Sequence, residues 1–535
     1  MSLLRCFPAS ATLTADQRSA ALAMEAFSAD PDARAFILRG YAGTGKTFLM
    51  QGVAAWLQAQ SRTVLFAAPT NRAAKVLHAR TGTPVLTLHK LLYTYRDEQY
   101  ALAPRPEPFG PNPVLVVDEA SLLGDATSDK SELRFGSGKL LSDLFEFLDL
   151  EQFPGTRIIF VGDPAQLPPV GMGYSPALSE GNLRRLSGRP VHQASLTEVV
   201  RQQADNGIVR VAHAMRDAIE GREFEPRLPL EKSPDVRVAN GSFLLERYFQ
   251  DGAERPSGRR IILAYTNEAI EAYNRAVRAR FFRQGADRLC EGEILLVTNN
   301  LPGLTPALAN GELVQVLQCG ELEKREVRIK RGKFGVVESP FIQFTETEVI
   351  GTFHFRDAHV GVRGTDGQAH VLRVKVLENW LFSERQESLP FVASFMLRRI
   401  AFDQFYAENQ ALYRLDKQKF LFLREEYARL SPYVNAVCAR FGYAITCHKA
   451  QGGEWEEVFV DMCAPMSRDT AGFYRWAYTA VTRARKRVFL RLNPHDPRPA
   501  APDKRVQVQV LPRHDRREGA KKPHRSIVRL PIQPR

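Results

Sequence analysis

Short apolar runs alternate with helix-period stretches along most of the chain, and the pattern occurs twice. Residues 35–38, 63–67, 114–117 and 157–161 read as buried strands in the first half, and residues 260–264, 443–446, 458–461 and 487–490 in the second. A run such as Val114-Leu-Val-Val117 leaves no polar face, as expected of a strand covered on both sides in a parallel sheet. The helical stretches between the runs supply the crossovers that parallel strands require. The predicted class is therefore α/β, with two parallel-sheet lobes.

Two interruptions break the alternation. Residues 90–113 contain Leu91 to Tyr95, then Arg96-Asp97-Glu98, then Gln99 to Leu102, which predicts a hairpin. A longer stretch, 301–440, opens with Gly- and Val-rich β-like segments and turns helical and aromatic. Trp380, Phe391, Phe395, Phe402, Phe405, Tyr406, Phe420 and Phe422 are expected there as core. The predicted division is a first lobe over 1–89 and 114–204 with the hairpin insertion at 90–113. A second lobe follows over 205–300 and 441–496, interrupted by a β-containing domain at 301–440. Residues 497–535 form a tail. The loop between Leu123 and Pro154 has no role that its sequence explains.

At 535 residues the chain exceeds what one core serves, which fits several domains. Composition is that of an ordinary globular protein, with 44% hydrophobic and 25% charged residues. No run approaches the roughly 18 apolar residues that span a bilayer. Met1 to Ala11 lacks the apolar core of a signal peptide. Six scattered cysteines without a CxxC pair suggest reduced thiols and a cytoplasmic protein. The net charge of +13 is uneven: the tail holds 11 Lys/Arg against 3 Asp/Glu, and the remainder carries only +5. The basic pI therefore says little about the body. Seven prolines and the charge make the tail a disordered segment by composition, either a phosphate-binding arm or a solvated end.

Candidate chemistry sharpens the picture. Gly40-Tyr-Ala-Gly43-Thr44-Gly45-Lys46-Thr47 follows a strand and opens a helix, the context a phosphate-binding P-loop needs. Its glycines let backbone N–H groups approach phosphate oxygens, and the helix N-terminus adds positive potential. Lys46 would neutralise the β- and γ-phosphates of ATP, and the Thr47 hydroxyl would ligate Mg²⁺. The 114–117 strand delivers Asp118 and Glu119 to the same sheet edge, Asp118 for Mg²⁺ and Glu119 to orient and deprotonate the attacking water. A second acid beside the first favours hydrolysis over transfer to an acceptor. Asp118 could instead cap a helix running into Ala-Ser-Leu-Leu, a weaker reading beside a P-loop.

Further segments follow in order. They are Ala68-Pro69-Thr70-Asn71, Thr87-Leu-His89-Lys90, Val161-Gly-Asp163-Pro-Ala-Gln166, Leu196-Thr-Glu198-Val-Val-Arg201, Ala444-Ile-Thr446-Cys-His448-Lys449-Ala-Gln451-Gly452-Gly-Glu454 and Tyr478-Thr-Ala-Val-Thr482-Arg483. Taken together from about Leu13 to Leu492, the set resembles superfamily 1 helicases. It is similar to their B subgroup, the RecD/Dda-like enzymes with a UvrD-type C-terminal lobe. The resemblance implies two RecA-like motor lobes, an inserted SH3-like domain opening near Asn310-Gly311, and a duplex-splitting pin near Tyr95. It implies that Gln17 reads the adenine edge and that Gln166 couples the γ-phosphate to the strand cleft. Arg201 and Arg483 would reach the γ-phosphate from across the lobe interface, and Glu454 would contact the ribose. Pro69, Thr70, Asn71, His89, Thr446, His448 and Lys449 lie in motifs that line the strand.

The activity so implied is ATP-driven 5′-to-3′ travel on single-stranded DNA with unwinding at single-strand/duplex junctions, by a chain that works as a monomer. The tail or the inserted domain could engage a protein partner. Two other readings stay open at this level. One is unwinding of RNA or RNA–DNA duplexes, because phosphate gripping does not exclude ribose. The other is a nucleic-acid-stimulated switch ATPase that remodels partners without unwinding. Cys447 beside His448 could suggest a nucleophilic dyad, but neighbours on a strand face opposite ways.

Overall fold

The computed structural model describes residues 2–8, 12–96, 99–104, 112–127, 135–199, 206–225, 228–230, 233–239, 241–249, 256–285, 287–301, 303–332, 334, 336–337, 339–364, 368–383 and 389–493. Arg201, the 497–535 tail, Asp97 and Glu98 of the hairpin turn, and 128–134 of the long loop lie outside the described residues, as does the side chain of Tyr95.

The first lobe is a six-stranded parallel sheet. Its strands are β1 (Ala35–Gly40), β2 (Val64–Ala68), β3 (Val85–Thr87), β6 (Val114–Val117), β7 (Arg157–Gly162) and β8 (Val191–Leu196), in the order β3-β2-β6-β7-β1-β8. Between β3 and β6 stands the hairpin β4 (Tyr93–Arg96) and β5 (Gln99–Leu102), with Tyr93 opposite Leu102. Burial on both faces explains the uninterrupted apolar runs. Phe36 and Leu38 pack to one side with Leu49, Val53 and Trp56. Ile37 packs to the other with Leu141, Leu144 and Leu148. Two strands escaped the sequence reading, β3 and β8, and both are edges with half-exposed side chains.

The second lobe repeats the plan. It contains β9 (Val236–Ala239), β10 (Arg260–Ala264), β17 (Ala444–Thr446), β18 (Trp455–Asp461) and β19 (Ala484–Arg491), ordered β17-β10-β18-β19-β9 and all parallel. Here too the strand not foreseen, β9, is an edge. Between β10 and β17 the chain builds an antiparallel sheet from β11 (Ile294–Val297), β12 (Leu313–Lys330), β13 (Ile342–Phe344), β14 (Glu348–Arg363), β15 (Ala369–Leu377) and β16 (Ala439–Phe441). Its first strand lies ahead of the expected boundary at 301. β11 is buried at all four positions, so its Ile-Leu-Leu-Val pattern is indistinguishable from that of a motor-lobe strand.

The expectation that the inserted domain's aromatics are core needs correction. Trp380, Phe405 and Phe420 are buried, whereas Phe391, Phe395, Tyr406 and Phe422 are exposed. Helix Phe391–Glu408 buries Ala393, Met396, Leu397 and Ile400, and carries Phe391 and Phe395 outside that face. Among the described residues, no helix is long and apolar enough to cross a membrane.

Candidate nucleotide site and strand-facing edge

In a parallel sheet the C-terminal strand ends share one edge, and the predicted chemistry gathers there. After β1 the loop turns through Gly43 (φ 83°) and Gly45 (φ 81°) into helix Lys46–Gln58. Such φ values suit glycine alone among common residues. A Cβ on Gly40 would stand 2.7 Å from Lys46 Cγ, so that glycine lets the lysine stem fold across the loop. Thr44 braces the turn by donating its hydroxyl to the Tyr41 carbonyl at 2.9 Å. The Lys46 ammonium donates to the carbonyls of Gly40 (2.5 Å) and Tyr41 (2.9 Å).

β6 hands over two carboxylates. Glu119 sits in the left-handed region (φ 50°), which costs a non-glycine residue on the order of 1–3 kcal/mol and is held only where the surroundings demand it. It precedes the short turn Ala120–Leu122, and Asp118 caps no helix. Burial, then the neighbouring Asp118 charge, push the Glu119 carboxyl up to about 7, and burial raises Asp118 as well. Asp118 and the Thr47 hydroxyl line the same cavity, an oxygen donor set that fits Mg²⁺. After β7, Gln166 is 4% exposed, and its Oε1 has no hydrogen-bond partner among the described residues. A buried amide left so is poised for a ligand.

The opposite wall comes from the second lobe. Gly452, Glu454, Thr482 and Arg483 face Gly43, Gly45, Lys46, Thr47, Asp118, Glu119 and Gln166 across one cavity of about 490 Å³. Arg483 is buried and turned onto its own lobe, donating to the carbonyls of Thr479 (3.1 Å) and Gly453 (3.3 Å). Glu454 lies between Arg80 of the first lobe (3.4 Å) and Arg485 (2.9 Å).

Comparison with known proteins matches both walls. Residues 12–133 fit the AAA domain family, and residues 441–491 fit the UvrD-like helicase C-terminal domain. The chain is similar to the ATP-dependent RecD2 DNA helicase of Deinococcus radiodurans, 33% identical over 185 residues, which is 34% of this chain and 22% of that protein. It is also similar to the ATP-dependent DNA helicase dda of enterobacteria phage T4, 25% identical over 303 residues, 53% of this chain and 62% of that protein. The chain thus spans about a fifth of the first relative and under two thirds of the second. The solved Pif1 helicase from Candida albicans superposes with a TM-score of 0.43 at 15% identity, covering 90% of this chain and 94% of that one.

Three predicted nucleotide residues stay behind the cavity wall. Gly40 and Thr44 shape the loop from below. Gln17 accepts from the Thr14 N–H (3.1 Å) and donates to the Thr44 carbonyl (3.1 Å), so its amide caps its own helix and anchors the P-loop. Thr14 and Gln17 form a capping box, a spacing legible in the sequence. Cys447 is buried with its thiol donating to the Trp476 carbonyl at 3.7 Å, and burial pushes that thiol up to about 12.

The strand-lining candidates occupy the same sheet edge, beside the nucleotide residues. Thr70 follows β2 and caps helix Asn71–Thr81, accepting from the Ala73 N–H, and Thr446 ends β17 and caps the following turn in the same way, accepting from the Lys449 N–H. Capping uses an oxygen lone pair and leaves each hydroxyl proton available to a phosphate. Pro69 and Asn71 flank Thr70, His89 is exposed after β3, and half-buried His448 precedes exposed Lys449. Arg72 joins the two sets across the lobes, donating to the Lys449 carbonyl at 3.2 Å and to Gly311 at 3.2 Å.

One residue that the motif reading names without a role links the lobes directly. The buried Tyr478 hydroxyl donates to Asp163 Oδ2 (2.8 Å) and accepts from the P-loop N–H of Ala42 (3.0 Å). Burial holds its phenol well above the ordinary value, so it remains a donor. Tyr478→Phe leaves the Asp163 oxygen and the Ala42 N–H without this partner, a loss of about 1–3 kcal/mol. The expected outcome is a roughly tenfold fall in strand-stimulated kcat with the fold intact, read by steady-state ATPase and circular dichroism.

Proposed function

We propose that the chain is an ATP-dependent DNA helicase that moves 5′-to-3′ along single-stranded DNA and opens duplex ahead of it, working as a monomer. The observation that carries this reading is the single cavity walled by Lys46, Asp118, Glu119 and Gln166 from one lobe and by Arg483 and Glu454 from the other. ATP held there contacts both lobes, so closure is favoured only while the γ-phosphate bridges them, and hydrolysis releases it. Glu119 orients and deprotonates the attacking water, Gln166 couples the γ-phosphate to the strand cleft, and Lys46 and Arg483 stabilise the charge on the transferred group. Arg201 would add a second arginine. Thr47 and Asp118 would hold Mg²⁺, which supplies further charge neutralisation when bound. The strand lies over Thr70, Asn71 and His89 of one lobe and Thr446, His448 and Lys449 of the other. Because the two sets sit on separate lobes, opening and closing shifts one grip relative to the other. Phosphate contacts of this kind are indifferent to sequence. The named activities of the RecD2 and dda relatives support the same reading.

The test is unwinding of forked duplexes carrying one 5′ or one 3′ tail, with DNA and RNA tracking strands compared. ATP-dependent opening only with the 5′ DNA tail is expected. Strand-stimulated ATPase without displacement on any substrate would show a switch ATPase instead.

A further inference from the structure

The loop between β6 and β7, unexplained by its sequence, is where the first lobe touches the hairpin. Phe135 forms a β-bridge with Tyr100, and the Gly136 N–H donates to the Tyr100 carbonyl at 2.8 Å. The Phe135 ring stacks on Tyr100 (4.3 Å between centroids, 28° between planes) and meets the Tyr93 ring at 5.5 Å. Its edge meets His89 at 5.0 Å and 83°. On the other side of the hairpin root, the Tyr93 hydroxyl donates to Asp143 Oδ2 at 2.7 Å, and the same carboxylate accepts from the Ser137 N–H and hydroxyl. Asp143 belongs to helix Leu140–Leu148, whose Leu141, Leu144 and Leu148 are fully buried in the lobe core. A Cβ on Gly136 (φ 50°) would stand 2.3 Å from Asp143 Oδ2 and 2.7 Å from Tyr93 Cε1, so only glycine lets the loop come this close.

A hairpin with strands of four residues is marginal in isolation. Here both strands are fixed to a rigid lobe through aromatic contacts and one buried hydrogen bond. We propose that Phe135 is a positioning residue that, with the Tyr93–Asp143 bond, holds the hairpin rigid as the wedge that parts the duplex. This rests on the helicase reading above. A wedge that yields under load lets the motor advance without separating strands, so the brace governs base pairs opened per ATP and leaves the ATPase itself alone. Neither Phe135 nor Tyr93 lines the nucleotide cavity.

The experiment uses the full chain on a 5′-tailed fork, measuring base pairs opened per ATP hydrolysed, with strand-stimulated ATPase and single-strand translocation measured in parallel. For Phe135→Ala, coupling is expected to fall about tenfold or more while ATPase and translocation stay within about twofold. Tyr93→Phe keeps the ring and removes only the hydroxyl, so it should shift coupling in the same direction by less. Phe135→Trp, which preserves an aromatic face, should restore it. Unchanged coupling in both Phe135→Ala and Tyr93→Phe overturns the brace, as does a parallel loss of ATPase and unwinding. Wild type that translocates but opens nothing would overturn the helicase reading itself, a result distinct from either.

Discussion

Replacing Arg483 with alanine is expected to lower strand-stimulated kcat by about 10³-fold while nucleotide affinity changes little. Arginine reaching a γ-phosphate acts on charge that develops as the terminal bond breaks, so its loss falls mainly on the transition state. The side chain has somewhere to come from: it rests on the carbonyls of Gly453 and Thr479, beside the cavity that Lys46 enters from the other lobe. Those neutral acceptors hold a guanidinium less strongly than a phosphate would. Single-turnover hydrolysis with a fluorescent nucleotide separates the two effects. Loss of binding with an unchanged hydrolysis step would place Arg483 in ground-state contact only.

Lys46→Ala should remove measurable ATPase and leave single-strand binding near wild type. The ammonium held by the Gly40 and Tyr41 carbonyls is the P-loop's charge for the β- and γ-phosphates. Thr70, Asn71, Thr446 and Lys449, the proposed strand contacts, are separate residues. Fluorescence anisotropy with a labelled oligonucleotide, beside steady-state ATPase, reads both. ATPase within a few-fold of wild type would mean that Lys46 does not hold the reacting phosphates.

Much of this was legible because chemistry and topology coincide. A central strand such as β6 is apolar throughout and leads into charged residues at one sheet edge, so strand and motif mark each other. Edge strands β3, β8 and β9 were missed because half-exposed positions dilute the apolar signal. Gln17 shows a different limit. Its spacing from Thr14 marks a helix cap, a second role that the motif resemblance does not carry. Tyr478, Arg72 and Phe135 act through partners far away in sequence: Ala42, Lys449 and Tyr100. No local pattern encodes such pairs. The aromatics of the inserted domain failed for a related reason, since hydrophobicity says what can be buried and topology decides what is.

The most direct test of a nucleotide shared between lobes is a structure of the complex with a non-hydrolysable ATP analogue, Mg²⁺ and single-stranded DNA. Lys46 Nζ and the Arg483 guanidinium should both lie about 3 Å from γ-phosphate oxygens. An Arg483 that remains on Gly453 and Thr479, with the analogue held by the first lobe alone, would contradict the account.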